Sequence, residues 1–328
     1  MSRRNKIVKE AIRRFFHLGN RTIARHLIAT HGDHFRNKKG EIDVEVARTS
    51  VRYHTGKMGD RHRGLGDGSL HRDTPVKMPK TWSRSRPSYK LNPGLWLVLS
   101  DIHVPFHEEK PLESAIKAGQ AEKVDGILLN GDIWDCTAVS YWPSFVRNFN
   151  KELEAIIDFL DCLACEFPNT PIIYKPGNHE YRLPRYFLSK APELIETPID
   201  AMDNVLGFEK RGIEFLDYFQ KVYAGLLPIL HGHEVRNLQS SVNPARGLFL
   251  KTLSYSACGH AHRTSTHPER NIEGIDLTCH SFGCLCNLEP EYNPYGNRWN
   301  HGFALINVEK NGDFEVVNRR ILTSGQVV

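Results

Sequence analysis

The stretch from residue 126 to residue 135 reads Gly-Ile-Leu-Leu-Asn-Gly-Asp-Ile-Trp-Asp, so a short apolar run is followed by a glycine and two carboxylates. A short apolar run bounded by a turn signal predicts a β-strand. Residues 95–103 repeat the arrangement, because a second apolar run leads directly into Asp101-Ile102-His103. Functional residues at strand ends are typical of α/β folds, in which loops from a rigid sheet hold the site. The two stretches therefore predict an α/β domain with a site at the ends of its strands.

Three further apolar runs end in the same way. They cover residues 171–174, 226–230 and 254–258, and they lead into Gly177-Asn178-His179-Glu180, His231-Gly232-His233 and Gly259-His260-Ala261-His262. Helical stretches at residues 111–123 and 146–167 lie between the runs. Near the end of the chain, residues 302–308 and 314–320 flank Asn311-Gly312, which is a strong signal for a β-hairpin.

The five polar clusters contain residues that bind divalent metals through oxygen or imidazole nitrogen. None of the clusters depends on a thiolate ligand. This mixture suits Mn²⁺, Fe²⁺ or Zn²⁺ better than Ca²⁺, which takes oxygen ligands, or a structural zinc, which usually takes cysteine. The clusters therefore predict a hydrolytic site with two divalent metal ions, for which Mn²⁺ is the favoured metal.

In order and residue identity, the clusters resemble the signature of the calcineurin-like metallophosphoesterase superfamily, which is D-x-H, G-D-x-x-D, G-N-H-E, a histidine and G-H-x-H. The resemblance covers roughly residues 95–310. It implies a four-layer αββα sandwich with a dinuclear metal centre at the strand ends. Residues 177–182 and 297–302 are also similar to phage and prophage members of the superfamily, which carry a similar small N-terminal region.

The resemblance also implies roles for individual residues. One metal is held by Asp101, His103, Asp132 and His262, and a second by Asp132, Asn178, His231 and His260. A hydroxide bridging the two metals attacks phosphorus, and His179 protonates or stabilises the leaving oxygen. Asp135 orients His179. His233 is the alternative to His231 as the ligand from the fourth cluster.

Three positions near the clusters bear on the substrate. Arg182 and Arg263 are candidates for clamping a phosphate with two hydrogen bonds, and surface ion pairing is the alternative for each. Serine/threonine phosphatases of the calcineurin type carry arginine directly after the second aspartate of G-D-x-x-D. The equivalent residue here is Cys136, which argues against a protein phosphatase.

Charge is distributed unevenly along the 328 residues. Residues 1–90 contain 22 Lys and Arg against 8 Asp and Glu, a net charge of +14, whereas residues 91–328 carry −9. Such an asymmetry predicts a basic module, able to dock a polyanion, attached to an acidic one.

No apolar run is long enough for a membrane span, and no signal peptide is recognisable, so we expect a cytoplasmic protein without membrane contact. The seven cysteines predict reduced thiols, including Cys162 and Cys165 on one helix.

The basic module is predicted at residues 1–55 and has the outline of a helix-turn-helix. Its first helix covers residues 6–18 and ends at Gly19, while Asn20 and Asp43 cap the second and third helices. The third helix presents Arg48 and Arg52 for contact with nucleic acid, together with Tyr53 and His54 away from its apolar face. A role in packing or oligomerisation is the alternative.

Residues 56–93 are predicted to form a basic, Gly- and Pro-rich linker, and residues 94–328 the metallophosphoesterase domain.

Two functions remain open from the sequence. A two-metal core joined to a basic module favours a nuclease or phosphodiesterase that acts on DNA or RNA. A phosphatase or cyclic-nucleotide phosphodiesterase for small phosphoesters is the alternative, because both classes share the same metal chemistry.

Overall fold

The computed structural model describes residues 2–56, 81, 86–142, 144, 147–194, 198–238 and 241–328, with the side chains of residues 198–200 left aside. Contacts divide the chain into two units, residues 1–84 and residues 85–328. Most of the predicted linker at residues 56–93 lies outside the described residues. Its last residues belong to the second unit, which therefore begins before the predicted boundary at residue 94.

Three helices build the N-terminal unit: α1 (Arg3–Arg14), α2 (Asn20–His31) and α3 (Val44–His54). Asp43 caps α3 as predicted, because its side chain accepts a hydrogen bond from the backbone N–H of Glu45. The three helices share one apolar core, which contains Val8, Ile12, Ile23, Ala24, Leu27, Phe35, Ala47 and Val51. The predicted small helical module is therefore observed.

Three details of this unit differ from the sequence prediction. Helix α1 ends at Arg14, because Phe15 leaves helical geometry and its ring packs edge-on against His26 with 4.3 Å between the ring centroids. Gly19 is the N-cap of α2 and not the end of α1, so Asn20 is the first residue of α2. His54 is buried, whereas the sequence prediction placed it away from the apolar face of α3.

The second unit contains two six-stranded sheets. The first has the order β12-β11-β2-β3-β4-β5 and the second the order β1-β6-β7-β8-β10-β9. The strands are β1 (Tyr89–Lys90), β2 (Gly94–Leu99), β3 (Gly126–Asn130), β4 (Ile172–Lys175), β5 (Ile213–Phe215), β6 (Val222–Ala224), β7 (Leu227–Leu230), β8 (Ser256–Cys258), β9 (Ser265–Arg270), β10 (Asp276–Ser281), β11 (Gly302–Val308) and β12 (Phe314–Arg320). The helices are α4 (Glu109–Glu122), α5 (Phe149–Glu166), α6 (Arg182–Lys190), α7 (Pro198–Leu206) and α8 (Pro244–Thr252).

Alternation along β2 explains why the two sheets stack. Leu97 and Leu99 point to a core shared with helices α4 and α5, whereas Trp96 and Val98 point to the core between the two sheets. A smaller cluster packs α8 against the outer face of the second sheet through residues such as Leu248. The order of layers is helix, sheet, sheet, helix, which confirms the predicted αββα sandwich.

The predicted strands and helices of this unit are observed with shifts of a few residues at most. Strand β3 and both strands of the hairpin have the predicted bounds. Strand β1 was not predicted, and it pairs in parallel with β6, more than 130 residues later in the chain. Cys162 and Cys165 both lie on α5, as expected. Among the described residues, none of the helices has the length and apolar character needed to cross a lipid bilayer.

Candidate metal centre

The five polar clusters follow strands whose carboxyl ends lie near one another. Parallel pairing of β2, β3 and β4 brings three clusters to one edge of the first sheet, and parallel pairing of β7 with β8 brings two to one edge of the second. The predicted ligands that follow these strands are Asp101 and His103 after β2, Asp132 after β3, Asn178 after β4, His231 after β7, and His260 and His262 after β8. Residues far apart in the sequence therefore meet at the strand ends.

The backbone is bent sharply at these positions. Five of the predicted ligands have positive φ angles, a region that non-glycine residues rarely adopt. They are Asp101 (56°), His103 (54°), Asp132 (53°), His260 (62°) and His262 (56°). Residues held in such conformations cluster at functional sites, where the surrounding structure compensates for their strain.

One group of donor atoms surrounds His262. Its Nε2 lies 3.1 Å from Asp101 Oδ1 and 3.3 Å from His103 Nε2. His103 Nε2 lies 3.9 Å from Asp132 Oδ2. Donors bound tetrahedrally to one metal at about 2.1 Å are separated by about 3.4 Å. The two separations at His262 are close to that value and the third is somewhat longer, so the donor types and spacing around His262 suit a divalent ion.

A second group shares Asp132. Its Oδ2 lies 3.1 Å from His231 Nε2 and 4.0 Å from His260 Nδ1. Asn178 Oδ1 is buried, and among the described residues it has no hydrogen-bond partner. A buried amide oxygen without a partner is costly unless something coordinates it. The residues present therefore fit a second divalent ion, with Asp132 placed between the two groups.

The charged groups of the site shift one another's pKa values. Burial alone would lower the pKa of His262, but the carboxylate of Asp101 outweighs it and raises that pKa to about 10. In the same way, Asp132 raises the pKa of His231 to about 9 against the effect of burial. Burial and the charge of His231 lower the pKa of His260 to about 3. Because a metal binds neutral imidazole, protons and metal ions compete for His231 and His262.

Asp135 links two histidines. Its Oδ2 accepts hydrogen bonds from Nδ1 of His103 at 2.9 Å and from Nδ1 of His179 at 3.1 Å. This arrangement fixes the ring orientation of both histidines and leaves each Nε2 facing Asp132. Burial would raise the pKa of Asp135, but the two histidines lower it well below its usual range. The prediction placed Asp135 beside His179, and its contact with His103 is an additional finding.

Arg182 lies within this group. Its guanidinium donates to the carbonyl oxygen of Asp135 at 2.9 Å and to Asp135 Oδ1 at 3.0 Å, and Nη2 lies 3.0 Å from His179 Nε2. Burial would lower the pKa of His179, but Asp132 and Asp135 outweigh it and raise the pKa, while Arg182 acts in the opposite direction. Arg182 therefore contacts the residue predicted to be the general acid, and phosphate clamping by Arg182 stays a prediction.

Two other candidates have different surroundings. Arg263 is mostly buried and donates to the carbonyl oxygens of Ser241 at 2.5 Å and of Val242 at 3.4 Å, so its role as a phosphate clamp stays a prediction. His233 lies outside the group formed by Asp132, His231 and His260, and its Nδ1 is 3.5 Å from Glu234 Oε2. The geometry therefore favours His231 over His233 as a ligand.

Glu180 holds the two central loops together, a role that the sequence analysis did not assign. The side chain is fully buried, and its two oxygens accept hydrogen bonds from five donors. These donors are the backbone N–H groups of Asp132, Ile133, Trp134 and Gly177 and the hydroxyl of Tyr174. Its position in G-N-H-E, three residues after a glycine in a turn, is the available sequence signal.

A buried ion pair supports the loop that carries His231. Lys175, at the end of β4, donates from Nζ to Glu234 Oε1 at 2.9 Å. Glu234 in turn accepts hydrogen bonds from the backbone N–H groups of His231 and Gly232. Burial would raise the pKa of Glu234, but Lys175 outweighs it and lowers the pKa. A lysine at the end of an apolar strand gave no specific signal for this contact.

Gly177 explains why its loop approaches Asp132 so closely. A Cβ atom at Gly177 would lie 2.3 Å from Asp132 Oδ1 and 2.6 Å from the backbone nitrogen of Asp132. Any larger residue would therefore push the loop of Asn178 and His179 away from the metal-type cluster.

Comparisons with known proteins identify the family of the chain. A family model described as calcineurin-like phosphoesterase matches residues 96–277, which is more than half of the chain. The Gene 54 protein of Mycobacterium phage L5 is 27% identical over 227 residues, which cover 65% of this chain and 88% of the phage protein. The Gene 54 protein of Mycobacterium phage D29 is 28% identical over 229 residues, which cover 66% and 89%.

Solved structures to which the chain is similar include Vacuolar Protein Sorting 29 of Cryptosporidium parvum, with a TM-score of 0.39, 15% identity, and coverage of 72% of this chain and 96% of that chain. A dimetal phosphatase from Danio rerio aligns with a TM-score of 0.36 and 10% identity over 70% of this chain and 97% of that chain.

Proposed function

Because the chain belongs to the calcineurin-like phosphoesterase family and is a metal-dependent phosphoester hydrolase, we propose that it cleaves phosphodiester bonds in DNA or RNA. The observation that supports this substrate is the basic N-terminal unit, which accompanies a hydrolase unit of opposite charge. Phosphate backbones attract such basic surfaces regardless of sequence.

Two divalent ions, with Mn²⁺ as the favoured metal, fit the donor groups described above. Asp101, His103, Asp132 and His262 would hold one ion, and Asp132, Asn178, His231 and His260 the other. When bound, such ions would lower the pKa of a coordinated water molecule and neutralise charge on the phosphoryl oxygens. Their donor set accepts several divalent metals, so Fe²⁺ and Zn²⁺ are the alternatives.

The leaving oxygen would receive a proton from His179. Asp135 holds the ring through Nδ1, so Nε2 is the nitrogen that faces the reacting phosphate. The Arg182 guanidinium, 3.0 Å from this nitrogen, can only donate, so it would turn from a protonated Nε2 to the negative charge on the phosphate or the leaving group. General acid catalysis of this kind contributes about 10²- to 10⁴-fold in rate.

Nucleic acid would be captured by the N-terminal unit. Residues 1–56 contain 13 Lys and Arg against 5 Asp and Glu. Several arginines flank the turn between α1 and α2 with exposed side chains, namely Arg13, Arg14, Arg21 and Arg25. On α3, Arg52 is exposed, whereas Arg48 forms an ion pair with Glu45 at 3.3 Å. Contact of Arg48 and Arg52 with nucleic acid therefore stays a prediction, and the arginines of α1 and α2 are equally suited.

The test compares the salt dependence of nucleic-acid binding and cleavage. One variant replaces four arginines of the N-terminal unit with glutamine, at Arg13, Arg14, Arg21 and Arg25. The matched control replaces four exposed lysines of the hydrolase unit, at Lys151, Lys210, Lys251 and Lys310. In the arginine variant, we expect the slope of log K against log salt to fall by about 0.9 for each lost phosphate contact with duplex DNA and by about 0.7 with a single strand. The control should keep the slope.

Small phosphoesters are the alternative substrate, because the same two-metal chemistry serves phosphomonoesters and phosphodiesters. Hydrolysis of bis-p-nitrophenyl phosphate that is equal in all variants, without cleavage of DNA or RNA by the unmodified protein, would establish that alternative.

A further inference from the structure

An aromatic group lies beside the metal-type cluster, on the loop that joins Cys286 to β11. The ring of Trp299 packs against the ring of His262, with 4.1 Å between the centroids. The ring of Tyr292 lies 6.3 Å from that of Trp299 and is edge-on to it. Tyr292 is 71% exposed, although large aromatic side chains are costly to leave in water.

This loop is fixed to the cluster that contains His262. The backbone N–H of Asn300 donates to the carbonyl oxygen of His262 at 2.9 Å, and the Asn300 amide donates to Thr264 Oγ1 at 2.7 Å. Asn297 closes the loop internally, because its amide donates to the carbonyl oxygens of Leu288 at 2.6 Å and Asn293 at 3.0 Å. Trp299 is therefore held in place by hydrogen bonds on both sides.

The ring contacts place Tyr292 near the site, because Trp299 packs on His262 and Tyr292 lies beside Trp299. Most of the Tyr292 side chain remains accessible. The neighbouring Arg298 is exposed, so a positive charge accompanies the aromatic group.

We propose that Tyr292 and Trp299 form a stacking surface for a nucleobase next to the scissile phosphate, so that the substrate is single-stranded nucleic acid. The proposal rests on the proposed function. It follows from the position of the rings, because a nucleotide with its phosphate at the metal centre has its base only one sugar away. A base in a duplex is already stacked and paired, whereas a base in a single strand is free to stack on an aromatic side chain. Arg298 would contact a neighbouring phosphate.

The test uses two single-stranded oligonucleotides with the same backbone. One carries normal bases throughout, and the other has tetrahydrofuran abasic residues on both sides of one phosphodiester bond. Cleavage of that bond is measured with Mn²⁺ for the unmodified full-length protein, Tyr292→Ala and Tyr292→Phe. The phenylalanine variant is the matched control, because it removes the hydroxyl and retains the ring.

We expect the unmodified protein to cleave the base-bearing bond about 5- to 150-fold faster in kcat/KM, the range typical of base stacking on one aromatic side chain. Tyr292→Ala should reduce this preference at least about fivefold, and Tyr292→Phe should keep it. Equal cleavage of both oligonucleotides by the unmodified protein, or an unchanged preference in Tyr292→Ala, would overturn the stacking surface and leave the nuclease function intact. If neither oligonucleotide is cut while bis-p-nitrophenyl phosphate is hydrolysed, the nuclease function itself fails, and the stacking surface fails with it.

Discussion

Replacing Glu180 with glutamine tests whether one buried carboxylate organises the centre. The substitution keeps the shape of the side chain and exchanges one acceptor oxygen for an NH₂ group. One oxygen of Glu180 accepts from Ile133, Trp134 and Tyr174, and the other accepts from the backbone N–H groups of Asp132 and Gly177. The glutamine fits best when its NH₂ group replaces the oxygen that accepts from only two donors, Asp132 and Gly177. The backbone N–H groups of these two residues then lose their acceptor and face another donor.

The expected cost can be worked out from these contacts. A buried donor that is left without a partner costs about 1–3 kcal/mol, so two of them cost about 2–6 kcal/mol. The remaining hydrogen bonds become weaker as well, because a charged acceptor is replaced by a neutral one. We therefore expect the free energy of unfolding to fall by about 3–6 kcal/mol, a large part of the 5–15 kcal/mol typical of a domain.

The assay is urea unfolding in the presence of EDTA, so that metal binding does not contribute to the measured stability. Glu154→Gln is the control, because Glu154 is exposed on α5, and its free energy of unfolding should change by less than about 0.5 kcal/mol. A loss of less than about 1 kcal/mol in Glu180→Gln, with an unchanged m-value, would show that the Glu180 carboxylate does not organise the centre.

Two other substitutions probe the support of the candidate ligands. Asp135→Asn removes the negative charge to which the ring N–H groups of His103 and His179 donate, and it turns an NH₂ group toward the Arg182 guanidinium at the position of Oδ1. We therefore expect a loss of about 10- to 100-fold in Mn²⁺ affinity or in activity. Isothermal titration with Mn²⁺ measures the affinity, and an unchanged affinity together with unchanged activity would contradict this role. Lys175→Met leaves the carboxylate of Glu234 without its lysine partner. We expect the free energy of unfolding to fall by about 2–4 kcal/mol, less than for a fully buried ion pair, because Glu234 is only partly buried. Adding Glu234→Gln should restore part of that stability in urea unfolding, and the absence of any restoration would show that the ion pair is not the cause.

Much of the fold could be predicted from the pattern of apolar and turn residues along the sequence. The bounds of β3 and of the hairpin formed by β11 and β12 were predicted to the residue, because apolar runs and the Asn311-Gly312 turn are properties of neighbouring residues. Strand β1 was missed, because two residues carry no periodic signal and pair only with a partner far along the chain. The end of α1 was misplaced for a similar reason, since Phe15 leaves the helix to pack against His26 of α2.

The types of residue at the candidate site could be predicted from short motifs that resemble a known family, because the chemistry of metal ligands belongs to individual residues. How these residues support one another depends on the tertiary structure. His103 and His262, 159 residues apart in the chain, bring their Nε2 atoms to 3.3 Å because strands from two sheets end at the same place. The joint contacts of Asp135 with two histidines, of Glu180 with two loops and of Lys175 with Glu234 likewise depend on strand order. Strand order is set by burial summed over the whole domain, and no short stretch of sequence contains that information.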